Sequence, residues 1–163
     1  MQDSLKKGLS FGLTSATITT LGMIVGLHSS THSVMAVIGG VISIAVADAF
    51  SDALGIHISE EAEGRHSDKE IWEATIATFV SKFLFAMTFI IPILLMPKDI
   101  ETAIIVCVLY GFSLIIIISL LIGREEKQKT HMVVIEHLAI AVAVVVIAHF
   151  VGDWVAQTFP ALI

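Results

Sequence analysis

The chain has 163 residues, a hydrophobic fraction of 56%, a mean hydropathy of +0.92 and a formal net charge of −6. A water-soluble domain of this length does not carry so much apolar surface, because it lacks the polar surface to cover it. The acidic balance without a basic stripe excludes a nucleic-acid-binding module, and the single cysteine, Cys107, excludes an intrachain disulfide.

Lys6 and Lys7 precede the first apolar run, as in a secretory signal. The run is too long and too rich in Thr, Ser and Gly for one, and no cleavage site follows, so a retained first helix is expected. The apolar runs predict five membrane-crossing helices, each exceeding the roughly 18 residues that span a hydrocarbon core. They cover Leu9–Leu27, Ser33–Ile58, Trp72–Met96 closed by Pro97, Ile100–Ile122 closed by Gly123, and Met132–Val155. The expectation is an all-α, single transmembrane domain over residues 1–163, in contact with lipid along its length.

Lysine and arginine set the orientation. Lys6, Lys7, Arg65, Lys69, Arg124, Lys127 and Lys129 all fall on one side of a five-span chain. Lys98 alone falls on the other, and Lys82 lies within helix 3. The positive-inside rule places the N-terminus in the cytoplasm and the C-terminus outside. A multi-pass protein of the cell membrane is expected, in a prokaryotic plasma membrane.

Helix 1 carries Gly8, Gly12, Ser15, Thr19, Gly22 and Gly26 at steps of three and four. Such a face lets another helix approach closely, and a homodimer through the small-residue faces of helices 1 and 2 is expected. Thr14, Thr17 and Thr20 would add oxygens if the seam also lined a pathway.

Helix 2 contains Asp48 and Asp52, four residues apart and so on one face. At 1.5 Å per residue they lie about 15 Å and about 9 Å from the cytoplasmic end of the expected helix. Carboxylates at that depth are costly unless paired or hydrated. A divalent cation would relieve both the cost and their mutual repulsion, since carboxylate oxygens are hard ligands suited to Mg, Mn or Fe(II). One of them could instead stay protonated and carry a proton. The structural alternative is an ion pair between Lys82, at similar depth, and Asp48, which leaves Asp52 free.

Polar residues gather at both ends of this path. His57 would continue the ion path from Asp52, and Glu60, Glu61, Glu63 and His66 would capture cations on the cytoplasmic side, or form a solvated helix extension. On the outer side His28 stands near the helix 1–2 turn, and His149 and Asp153 are four apart in helix 5. Imidazole and carboxylate suit Mn, Fe(II), Co or Zn, though a metal-free His149–Asp153 hydrogen bond fits equally well.

The segments Gly8-Leu9-Ser10-Phe11-Gly12-Leu13-Thr14, Gly40 through Ala47, and Ser51-Asp52-Ala53-Leu54-Gly55-Ile56-His57-Ile58-Ser59 resemble the vacuolar iron transporter family. The helix 3 run to Pro92 and the Gly152 region are similar too. That resemblance implies five transmembrane helices, a homodimer with the metal path at its interface, and export of Fe(II) or Mn(II) in exchange for protons. The metal is cargo, and no resident cofactor is expected. The chain departs from the family pattern in four places. Phe11 stands where the family has an acidic residue, Asp52 where it has Met, and Ile56 where it has Glu. The family's long cytoplasmic metal-binding helices shrink to a short acidic loop. A site rebuilt on Asp48 and Asp52 would prefer harder metals, Mn or Mg over softer ions, and the helix 1 acid of the family's ion path, on which proton coupling would rest, is missing.

Two other functions fit parts of the chain. Gly39, Asp48 and Asp52 match the tail of the phospholipid head-group transferase motif, where carboxylates hold two metals, but its Asp-x-x-Asp-Gly half is missing. A non-transporting structural or regulatory membrane protein would need only the internal Asp–Lys pair. With no nucleotide-binding loop and no nucleophile–base constellation, a carrier is expected rather than an enzyme.

Overall fold

A computed structural model describes residues 2–125 and 130–160. The helices are α1 (Gln2–Thr31), α2 (Val34–Glu63), α3 (Asp68–Thr88), α4 (Ile90–Leu95), α5 (Ile100–Glu125) and α6 (Thr130–Thr158). Among the described residues there is no strand. With α3 and α4 taken as one span, five segments are long and apolar enough to cross a membrane. Large apolar side chains such as Phe50, Leu84, Ile105, Ile117, Ile147 and Phe150 point outward on every side. Only lipid accommodates so continuous an apolar exterior. The chain is an all-α, multi-pass membrane bundle.

Every span is longer than its apolar run, because polar residues continue the helices beyond it. Ser33 caps α2 by accepting the Ala36 N–H at 3.2 Å. The same helix runs through Glu60, Glu61 and Glu63 before ending on Gly64, whose φ of 62° is the left-handed conformation glycine favours. The acidic stretch expected as a loop is thus the last two turns of α2, and only Gly64–Ser67 connects it to α3. Ser67 and Glu70 close the start of α3, the Ser67 N–H donating to Glu70 Oε2 at 3.0 Å. Asp99 opens α5 by accepting the Thr102 N–H at 3.1 Å. The hydroxyl and N–H of Thr102 hold the Asp99 carboxyl below its ordinary pKa. This cap is therefore fully present above the ordinary value and is lost as the pH falls through the lowered one.

The third span is broken where the sequence predicts one helix. Pro92 has no N–H for the carbonyl of Thr88 and its ring crowds that position, so regular helix stops there. Phe89 turns the chain into α4 and is itself fully buried.

α1 is the hub, touching α2, α3, α5 and α6. Its glycines make this possible. A Cβ on Gly8 would collide with the Ala74 carbonyl of α3. One on Gly12 would collide with Ser81 and sit 2.9 Å from the Thr78 carbonyl. Towards α6, Gly22 meets Val144 and Gly26 meets Ala148. The seam on helix 1 is therefore a packing seam inside one chain. The main apolar core, with Leu21, Ile24, Val37, Phe89 and Ile93, fills the half of the bundle near the α1–α2 turn. The other half, near the N-terminus and the α2–α3 turn, holds the charges. Lys6, Lys7, Arg65, Lys69 and Arg124 lie at that basic end, while Lys127 and Lys129 lie outside the described residues.

Gly12→Ala should destabilise the fold by about 1–3 kcal/mol through overpacking. Gly39→Ala, where a Cβ meets nothing within 4 Å of the same chain, should not lower the thermal unfolding midpoint of the monomer in detergent.

Candidate functional site

Three helices bring charge together inside the bundle. α2 supplies Asp48 and Asp52, α3 supplies Lys82 and α1 supplies Ser15. Asp52 stands eleven residues before the end of α2 and Lys82 fourteen after the start of α3. At 1.5 Å per residue these are depths of about 17 Å and 21 Å, with Asp48 at about 22 Å. These distances run to the helix ends and include the polar last turn of α2, so they exceed the depth within the apolar run by that extension.

Lys82 is only 1% exposed, and its Nζ lies 2.6 Å from Asp48 Oδ2. The same Nζ contacts Asp52 Oδ2 and donates to Ser15 Oγ at 2.8 Å. Ser15 in turn donates to Asp52 Oδ2 at 2.7 Å. The sequence reading paired Lys82 with Asp48 and left Asp52 free; the structure places the ammonium against both. Two carboxylates and one ammonium leave the cluster one formal negative charge in excess. Both carboxylates keep some exposure, 24% for Asp48 and 19% for Asp52, so neither is sealed off.

A second ionic rung lies nearer the basic end. The Glu60 side chain is fully buried, with Lys7 Nζ 2.5 Å from Oε1 and His66 Nδ1 2.6 Å from Oε2. Lys7 also reaches Glu63 Oε1 at 2.9 Å. On α1, Lys7 precedes Ser15 by eight residues, and on α2, Glu60 follows Asp52 by eight. The two rungs thus bridge the antiparallel pair about 12 Å apart.

The other expected site residues are not gathered with the aspartates. His57 turns to α3, with Nδ1 2.9 Å from Thr75 Oγ1 and its ring edge-on to Trp72. Glu61 Oε1 lies 3.6 Å from His57 Nε2 and is largely exposed. At the opposite end, His149 Nδ1 shares a 2.6 Å hydrogen bond with Ser29, and its Nε2 lies 3.6 Å from Asp153. His28 and His149 line one groove of about 460 Å³ between α1, α5 and α6. Thr14 and Thr17 donate to the carbonyls of Ser10 and Leu13, four residues back. Thr20 is buried with its hydroxyl unpartnered. Among the described residues no group of three or more His, Cys, Asp or Glu stands ready to hold a metal ion. Any cation at Asp48 and Asp52 would take its remaining oxygens from water.

No family model, curated protein or solved structure matches this chain. The resemblance to the vacuolar iron transporters stands on the quoted segments alone.

The sequence reading missed the roles of Ser15 and Lys7. Ser15 was one small residue in a seam, and Lys7 an orientation signal. Matching depths along α1 and α2 were the available clue to both pairings. Lys7→Met should destabilise the fold by about 1–3 kcal/mol, because Glu60 stays buried and loses a partner. Glu63→Gln, at an exposed position, should leave the unfolding midpoint unchanged.

Proposed function

We propose that this chain carries a divalent metal ion of the Fe(II) or Mn(II) type out of the cytoplasm, with Asp48 and Asp52 on its path. The observation that carries the reading is a pair of carboxylates deep in a membrane bundle that a single ammonium neutralises only in part. Intramembrane charges of this kind are expensive and mark ion pathways. The excess of basic residues at the N-terminal end orients that end to the cytoplasm. There the exposed Glu61 and Glu63 raise the local cation concentration. At the far end His28 and His149 offer softer imidazole ligands, and Asp153 a further carboxylate, near the exit.

The resemblance to the vacuolar iron transporters supports the same reading, and its departures move the site. Phe11 and the buried Ile56 supply no ligand, so Asp48 and Asp52 take over. Hard carboxylates in place of Met favour Mn(II) and Fe(II) over softer ions.

A homodimer is part of the proposal, through α2 rather than α1. The α1 glycines already receive α3 and α6. On α2 the exposed residues Gly39, Ser43, Ala47, Ser51, Gly55 and Ser59 form a small-residue ridge at four-residue steps. Gly39 and Gly55 face open space, where a second copy could approach as closely as small-residue helix pairs do.

One observation favours a non-transporting role instead. Lys82 already contacts both aspartates, so the trio would suffice to tie α2 to α3.

Purified protein in liposomes holding a metal-sensitive dye separates the two readings. Mn(II) and Fe(II) uptake should be clear for wild type and fall to that of empty liposomes for Asp52→Ala, while the variant stays dimeric. Imposing a pH gradient reports proton coupling. Absence of flux in folded, dimeric wild type would leave only the structural role. Gly55→Leu should shift the dimer towards monomer in sedimentation, without lowering the unfolding midpoint of the monomer.

A further inference from the structure

We infer that Lys82 is a tethered cation that occupies the carboxylate site of the unloaded carrier and that the cargo must displace. The inference rests on the transport reading and concerns how that site releases its ion.

One ammonium per carboxylate would leave the site neutral, with no charge left to attract a cation. Here a single ammonium touches two carboxylates and a hydroxyl, and nearly all of its side chain is buried. It stands where a cation bridging Asp48 and Asp52 would stand. An ion at that point would lie a few ångströms from Nζ, and like charges so close in a poorly screened interior repel strongly. Cargo and ammonium therefore compete for the same oxygens. Ser15 gives the displaced ammonium a partner that is not a carboxylate, since its hydroxyl already accepts from Nζ on the α1 side.

The competition answers a difficulty that any two-carboxylate carrier faces. Bare carboxylates deep in a membrane are costly, so an empty site would resist forming, while a loaded one would hold a divalent ion too tightly. A cation on the protein's own side chain is present at a fixed, high effective concentration. It lowers the cost of the empty state and weakens the loaded one. The formal charge of the cluster is then −1 when empty and +1 with a divalent ion, rather than −2 and 0. Neutralising Lys82 should thus turn a carrier into a trap.

The test is Lys82→Met, with Lys82→Gln as a second variant that keeps hydrogen-bonding capacity. Mn(II) binding is measured on the purified full chain by titration calorimetry, Mn(II) flux in liposomes, and thermal unfolding with and without Mn(II). Binding should tighten by about tenfold or more, as expected when a like charge is removed from contact distance. Flux should slow, and Mn(II) should raise the unfolding midpoint further than in wild type. A merely structural lysine would instead give variants with unchanged or weaker binding. That result, alongside a wild type that transports, overturns the inference while leaving the carrier reading intact. Wild type that neither binds nor moves Mn(II) or Fe(II) removes the carrier reading itself. Variants that collapse even in saturating Mn(II) also overturn the inference, because an ammonium essential to the fold is not free to leave.

Discussion

Charge placed inside a bilayer must be compensated by charge or by water, and the helices of this protein are arranged to bring that compensation to two aspartates. Asp48 and Asp52 come from α2, but the ammonium they meet is on α3 and the hydroxyl on α1. Three helices must converge to within a few ångströms for one cluster to form. Gly8 and Gly12 permit this, because they let α3 lie against the α1 backbone while Thr78 and Ser81 fill the contact. A larger residue at either glycine would push Lys82 away from its partners, so the small-residue seam and the charged cluster form a single feature.

The bundle is divided by chemistry along its length. Near the α1–α2 turn, interlocking aliphatic and aromatic side chains around Phe89 make a dry core. Towards the N-terminus, charge pairs take over the contacts among α1, α2 and α3. α6 stands apart from both, packing mainly on α1 and α5 and giving most of its surface to lipid. It comes close to α1 at Gly152, where a Cβ would lie 2.5 Å from the Gly26 carbonyl oxygen and 2.7 Å from the Ser29 Cβ. The tight contact also sets His149 beside Ser29.

The five spans were legible because hydrocarbon imposes one length and one composition on whatever crosses it. The ends were not, since α2 and α3 extend past their apolar runs on caps and ion pairs that hydropathy does not register. The break at Phe89 follows from Pro92, whose effect falls four residues upstream, so the eye goes to Pro97 instead. In the site, the single-helix spacing of Asp48 and Asp52 and the shared depth of Lys82 could be read directly. Contacts between helices could not. Whether Lys82 meets one aspartate or both depends on helix rotation, and Ser15 enters only because α1 is turned to face α2. His57 was placed on the path by its nearness in sequence, yet it stands five residues from Asp52 and faces Thr75 on α3.

The two ionic rungs share a spacing of eight residues on antiparallel helices, but they differ in tolerance. A slide of one helix along the other by a single residue, about 1.5 Å, would break the short Ser15–Asp52 contact. The Lys7 rung would survive it, because that long side chain already reaches Glu63 as well as Glu60. The inner rung is therefore the pawl that fixes the register of α1 against α2, and the outer one follows.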